Sequence, residues 1–462
     1  MAVALKTLSP EAAWSPYEPG RAGDRPWDLA AAAHLHRRAG FGAPMELLRA
    51  TVEASPADAV QALLDPWPRV SQADRARFDA EMDLMARTVN DDEDQGHQLA
   101  AWWLYRMLAT PHPLLERATL LWHGHFATSN AKVRHVGAMR RQNETLRLHA
   151  LGRFEPMVQQ MSRDPAMLMW LDATVNRKAR PNENYARELM ELFCLGEGHY
   201  AERDIKEIAR AFTGWELRRD TFVFNRYQHD EGEKSFLGAR GPFNGDDAVR
   251  TVLAQDAAPR FIAAKLVRCF VCEEPPLADP VLEPLARQLR ETGFDLAAAV
   301  RRILLSRAFF ASAGTRVRSP VELGVGLLRT LRARTDMLEL AQALERLGQG
   351  VFYPPSVKGW DGGRAWIDTS TLLGRANLVR TGLTHAKTRW PQGDLAAQAD
   401  AAGARSEADA LQWLSDLMLA VPLAPQARDA VLSSLREQGG LTHAGLATAL
   451  HTLSVMPEFQ LA

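Results

Sequence analysis

Cysteine is scarce. Three residues in 462 cannot build a disulfide framework, and an odd number favours free thiols in a reducing compartment. Uninterrupted apolar runs are short: none reaches the roughly 18 residues that a membrane span needs. The opening MAVALKTLSP lacks the charged, apolar and cleavage regions of an export signal, so a cytoplasmic location is expected. Charge of one sign is missing too: 55 Lys plus Arg face 56 Asp plus Glu, a formal net charge of -1. No global field draws the chain to nucleic acid, and no nucleic-acid partner is expected. The standard G-x-S-x-G, G-x-x-x-x-G-K-[ST], H-E-x-x-H and G-x-G-x-x-G signatures are all absent, which removes support for the common serine-hydrolase and nucleotide-binding readings.

What is present is helical periodicity over a chain that is 46% hydrophobic, ample for a large core. Residues 1–26 are rich in Pro and Gly and read as an extended arm. Asp28 can cap a helix through Ala39, with Gly40 and Gly42 supplying the left-handed stop, and Ser55-Pro56 opens a second helix. Trp102 to Leu108 and Leu114 to Trp122 continue the spacing as two packed core helices, and the methionines between Met157 and Met169 read as gap-filling core. A single β feature is expected, a hairpin or irregular excursion near 221–238 with its turn at Asp230 to Gly232. The overall expectation is a mainly α protein. It comprises one large helical domain over 27–391, a linker at 392–406, and a helical tail over 407–462 packed on the main domain.

Four stretches can carry chemistry. In RPNENYARELMELFCLG, Asn182 caps a helix on which Asn184, Arg187, Glu188 and Glu191 share a face, at about 100° per residue. Two carboxylates one turn apart can hold a metal, although an ordinary solvated face fits the same pattern. WHGHF places His123 and His125 two residues apart, some 200° around a continuous helix. Both could bind one metal only if Gly124 breaks the helix; otherwise they pack separately. His229-Asp230, with Gly232 and Lys234, sets an imidazole beside a carboxylate in a loop, where a hydrogen-bonded turn explains the residues equally well. PPSVKGWDGGRAWIDTSTLLGR offers Trp360, Asp361, Trp366, Asp368 and Ser370 among glycines, a composition suited to lining a pocket or simply to packing two tryptophans. The basic stretch Lys132 to Arg153 reads as a solvated face before an anion site. Cys269 and Cys272 read as a buried helical pair before a zinc or redox site.

HLHRRAGFG at His34, WHGHFAT at Trp122, LDATVNRKARPNENYARELMELFCLGEGHYAERDIKEIARAFTGW from Leu171, and HDEGEKSFLG at His229 together resemble the bacterial family known as domain of unknown function 1800. PRFIAAKLVRCFV at Pro259, RSPVELGVGLLRTL at Arg318, GQGVFYPPSVKGWDGGRAWIDTSTLLGRANL at Gly348 and MPEFQ at Met456 extend the resemblance over about nine-tenths of the chain. The family tends to have Asn at Gly124 and Thr at Ala201. The resemblance implies a mainly helical protein whose relatives are often exported and often encoded beside a phosphatase-like protein. It implies no substrate, cofactor or catalytic residue.

Two functions follow as expectations. The first is a metal-assisted hydrolase acting on an anionic ester. Its divalent metal would sit on His123, His125, Glu188 and Glu191, its catalytic groups would be His229, Asp230, Arg187 and Lys234, and Asn184, Trp360, Asp361, Trp366, Asp368 and Ser370 would form the substrate pocket. The second is a noncatalytic helical partner or scaffold for the phosphatase-like protein.

Overall fold

A computed structural model describes residues 8–89, 96–274 and 276–462, and these form a mainly α structure with two small antiparallel ribbons. Two apolar cores organise it. The first gathers the chain from the Pro10–Trp14 helix through Phe310, and the second gathers residues from 321 onward with parts of the N-terminal half.

Among the helices that lie at the seam and feed both cores, two position the candidate site. In Leu29–Gly40, Ala31, Leu35 and Ala39 enter the first core while Ala32 and Ala33 enter the second. In Pro113–His125, Leu114, Ala118 and Trp122 face the first core and Leu120 the second. The i, i+4 spacing of the first-core residues puts them on one stripe of each helix and the second-core residues lie off that stripe, so each helix is buried from both sides. Asp28 accepts from the Ala31 N–H as the expected cap, and the stop comes from Phe41 (φ 66°) and Gly42 (φ 100°). Gly40 remains helical because Pro113 packs against it, and a Cβ there would stand 2.8 Å from the Pro113 Cβ.

Burying these helices requires burying their charges, and the protein answers with backbone carbonyls in one and with acids in the other: Arg37 donates to the Leu419 carbonyl and Arg38 to those of Val271, Ser312 and Ala462. Glu116 accepts from Arg106, from Arg147 and from the Trp103 indole at 2.7–2.8 Å. From the next residue of the helix, Arg117 reaches Glu322 at 2.7 Å, where Arg316 also arrives at 2.5 Å. The second trio ties the Pro113–His125 helix to Pro320–Thr330 in the other core. Removing one member would strand a buried charge.

The arm and linker readings change in detail. Ahead of Trp27 the chain forms the Pro10–Trp14 helix and buries Trp14 and Tyr17, whose ring stacks on Phe310 at 4.0 Å; residues 1–7 of that arm lie outside the described residues. The stretch 392–406 contains the helix Leu395–Ala401, with Leu395 and Ala399 in the second core. The tail helices Glu407–Met418, Pro425–Glu437 and His443–Ser454 pack into that same core.

In place of one hairpin there are two. Trp215–Arg218 pairs with Thr221–Phe224 and Lys234–Phe236 pairs with Ala239–Gly241, and the turn at Asp230 to Gly232 falls between them. No helix among the described residues is long and apolar enough to cross a membrane.

Candidate functional site

At the seam, the C-terminal turn of Pro113–His125 meets the Ala257–Phe270 helix and the glycine-rich loop after Gly348. Between them is a cleft of about 140 Å³. Arg117, Lys265, Arg268, Arg316 and Lys358 line it, with Glu273 as the one carboxylate. Glu322 is already set against Arg117 and Arg316, so the charge left over sits on Lys265, Arg268 and Lys358.

Local sequence explains why the cleft exists. Gly359 has φ +80°, and a Cβ on it would lie 2.3 Å from the Gly124 carbonyl oxygen. Only glycine permits both the left-handed backbone and that approach. Trp360 then lies over Gly124, 3.6 Å from where a Cβ would be, and its indole Nε1 is buried without a hydrogen-bond partner. On the opposite wall Phe261, Lys265 and Arg268 follow helical spacing, and the Lys265 ammonium stands 5.0 Å from the Phe261 ring centroid. Arg268 donates to the Asp361 carbonyl, clasping the loop to the helix.

Lys265 forms no hydrogen bond or ion pair with any described residue. Burial, with Arg268 adding to it, brings its amine down to about 8. A lysine desolvated beside another cation without a counter-charge is arranged to meet an anion or to exchange a proton near neutral pH.

His125 lines the same cleft. Its Nε2 donates to the Phe193 carbonyl at 3.0 Å, which leaves Nδ1 as a buried acceptor without a partner. Burial, and then the charge of Lys265, hold this imidazole well below its ordinary pKa despite the hydrogen bond to Phe193. Phe193 belongs to a π-helical turn, Leu189–Cys194, that continues the Glu183–Glu188 helix. Such turns recur at functional sites because they re-aim carbonyls.

The residues singled out in the sequence divide between the cleft and other places. His125, Trp360 and Trp366 line it. Glu188 does not line it: burial and then Glu191 raise its carboxyl pKa, while Arg187 and the cleft residue Lys358 lower it. Glu191 accepts from the Tyr200 hydroxyl at 2.9 Å. His123 does not join His125, because the helix stays continuous through Gly124. Its Nε2 accepts from the Phe352 N–H at 3.2 Å, it packs among Trp103, Phe352 and Trp360, and burial lowers it to about 3. Among the described residues, no three His, Cys, Asp or Glu side chains form a group suited to a metal ion.

The remaining groups serve local structure. His229 Nδ1 donates to the Thr213 carbonyl at 2.8 Å, and Asp230 accepts from Arg210 and from the Gly232 N–H. The Lys234 ammonium caps the carbonyls of Asp230 and Gly232. None of these three lines the cleft. Arg187 pairs with Glu202 at the surface, and Asn184 donates to the Leu171 carbonyl. Asp361 contributes its carbonyl to Arg268 while its side chain is exposed. Asp368 caps the Thr369–Thr384 helix, accepting from the backbone of Ser370 and Thr371 and from the Ser370 hydroxyl. All three cysteines are buried, and none is in a disulfide.

Lys265, Arg268, Arg117, Arg316, Glu273 and Lys358 were not singled out in the sequence. One signal was there: Ala257–Phe270 holds Arg260, Lys265 and Arg268 and no acid at all.

A family described as Protein of unknown function (DUF1800) matches residues 34–461. No curated protein and no solved structure matches.

Proposed function

We propose, from the premise that the chain belongs to the DUF1800 family, whose description assigns no reaction, that the cleft around Lys265 binds a small oxyanion. The chain would act there as a hydrolase on an anionic ester. The observation that carries this reading is an unpaired, desolvated lysine in a cleft lined by five cationic side chains and one carboxylate.

Lys265, Arg268 and Lys358 hold the negative charge, which is worth more in a partly dry site than in water. Lys265 is protonated below about pH 8 and gives its proton to the leaving oxygen as the ester bond breaks. Water supplies the new bond to the reacting centre, and its proton passes to Nδ1 of His125, the acceptor left open by the bond to Phe193. An oxyanion beside Lys265 offsets the charge that depresses His125, so substrate binding itself raises the basicity of this group. The divalent metal expected from the sequence has no ligand group among the described residues, and the lysine and arginine side chains supply the positive charge in this scheme.

The test is turnover of a panel of small phosphate, sulfate and carboxylate esters by the wild type, Lys265→Met and His125→Gln. At least one ester should be hydrolysed, with a loss of about a hundredfold or more in each variant while the helical circular dichroism is unchanged. A wild type that neither turns over any ester nor binds inorganic phosphate sinks the reading.

A further inference from the structure

Glu273 is out of place in an anion cleft. Its side chain is 10% exposed, its Oε1 lies 3.7 Å from Arg316 Nε, beyond hydrogen-bond reach, and its Oε2 has no partner. Arg316 is committed through Nη1 to Glu322 instead, and its own Nε is also buried and unpartnered. The loop glycines leave the space that the carboxylate occupies. A Cβ on Gly362 (φ +78°) would come within 2.9 Å of Oε1, and one on Gly363 (φ +55°) within 3.6 Å of Oε2. A buried carboxylate oxygen without a donor is costly, and it repels any fully deprotonated anion brought beside it. Both penalties vanish for one kind of guest, an oxyanion that carries a hydrogen on one oxygen and so donates to Oε2 while its other oxygens accept.

We propose that Glu273 makes the cleft selective for a protonated phosphate oxygen, so that it takes phosphate in preference to sulfate. This deepens the oxyanion reading above and rests on it. Near neutral pH inorganic phosphate retains at least one proton and sulfate retains none. Size does not oppose this: a cleft of about 140 Å³ has room for a small tetrahedral oxyanion. The guest's inventory is then complete. Lys265, Arg268 and Lys358 meet its charge, Arg316 Nε and Trp360 Nε1 offer donors that the protein leaves unused, and Glu273 Oε2 takes the one hydrogen.

The experiment is titration calorimetry of the full chain with sodium phosphate, sodium sulfate and methyl phosphate. Wild type, Glu273→Gln and Lys265→Met are compared at about pH 7, with methyl phosphate also at about pH 5.5, where it carries a proton. Wild type should bind phosphate at least tenfold more tightly than sulfate. Glu273→Gln, whose amide can present a donor in place of the second acceptor, should gain at least tenfold for sulfate while keeping phosphate within a few-fold. Methyl phosphate binding at the lower pH extends the selection to the phosphoryl group of an ester, whereas binding of phosphate alone confines it to the free ion. Equal wild-type affinity for sulfate and phosphate, with both lost in Lys265→Met, overturns the selectivity and leaves the oxyanion cleft standing. Phosphate binding unaffected by Lys265→Met overturns the cleft itself.

Discussion

Replacing Lys265 by methionine should stabilise the fold at neutral pH while destroying anion binding. The amine falls from an ordinary 10.5 to about 8, first because it is buried and then because Arg268 lies close. At about 1.36 kcal/mol for each tenfold change in proton affinity, keeping this ammonium charged costs the folded state on the order of 3 kcal/mol. The sign follows from proton counting. Between about pH 8 and 10.5 the unfolded chain holds a proton on Lys265 that the folded chain has lost, so folding stability rises with pH across that window. Below about pH 8 the whole penalty is present. Methionine keeps the unbranched stem that runs along Phe261 and carries no charge. Urea unfolding of the variant should therefore show up to about 3 kcal/mol of added stability near pH 7, shrinking as the pH rises through 8 and gone by about 10.5. Phosphate should stabilise the wild type and leave the variant unmoved. A variant less stable than wild type at pH 7, or a gain that does not change with pH, refutes the account of Lys265 as a charge held at a cost.

Glu116→Gln strands Arg106 and Arg147 and should cost about 3–5 kcal/mol at neutral pH by denaturant unfolding. Burial pushes this carboxyl up, but Arg147 and Arg106 pull it further down, to about 2. The wild type's advantage should therefore be intact above about pH 4.5 and fade as the pH falls towards 2; a gap that stays constant to pH 2 contradicts the pairing. Gly359→Ala changes no charge, yet it drives a Cβ into the Gly124 carbonyl and strains a left-handed residue. It should weaken phosphate binding by tenfold or more in calorimetry, and unchanged affinity means the cleft does not depend on that approach. His229→Ala should leave phosphate affinity and ester turnover within a few-fold of wild type while costing about 1 kcal/mol from its bond to Thr213. Loss of turnover in a folded His229→Ala protein would move the chemistry away from Lys265.

Much of the fold was readable because local rules and tertiary packing agree. Asp28, Ser55 and Asn182 cap the helices they were expected to cap, and the seam helices repeat apolar residues at i, i+4. The β region was harder. Its second turn is made at Leu237 (φ 48°) and Gly238 (φ 80°), while the residues that most resemble a turn, Asp230 to Gly232, are tied to Arg210 and Lys234 instead. The helix inside the stretch read as a linker was hard to see for a similar reason: Leu395 and Ala399 are one turn apart, and two apolar residues suffice once another surface is ready to receive them.

The cleft was half legible, and the division has a physical basis. Gly124, Trp360 and the loop glycines stand out in a sequence because unusual backbone and large rings are rare and local. The charges that give the cleft its chemistry do not, because a lysine or arginine on a helix is ordinarily a solvated face. What makes Lys265 different is an absence, the lack of any acid along Ala257–Phe270, combined with a loop that arrives from more than ninety residues later and places Lys358 and Trp360 opposite it. Glu322 holds Arg117 and Arg316, Glu116 holds Arg106 and Arg147, Asp361 turns its carbonyl to Arg268, and Glu273, the one carboxylate in the cleft, makes no ion pair with Lys265. Other buried cations without an acid, such as Arg38 and Arg375, donate to backbone carbonyls or to Gln460, whereas Lys265 has neither among the described residues, in a chain with one more acid than base in total. The uncompensated charge follows from where those acids are placed, and it is the feature on which the proposed oxyanion site rests.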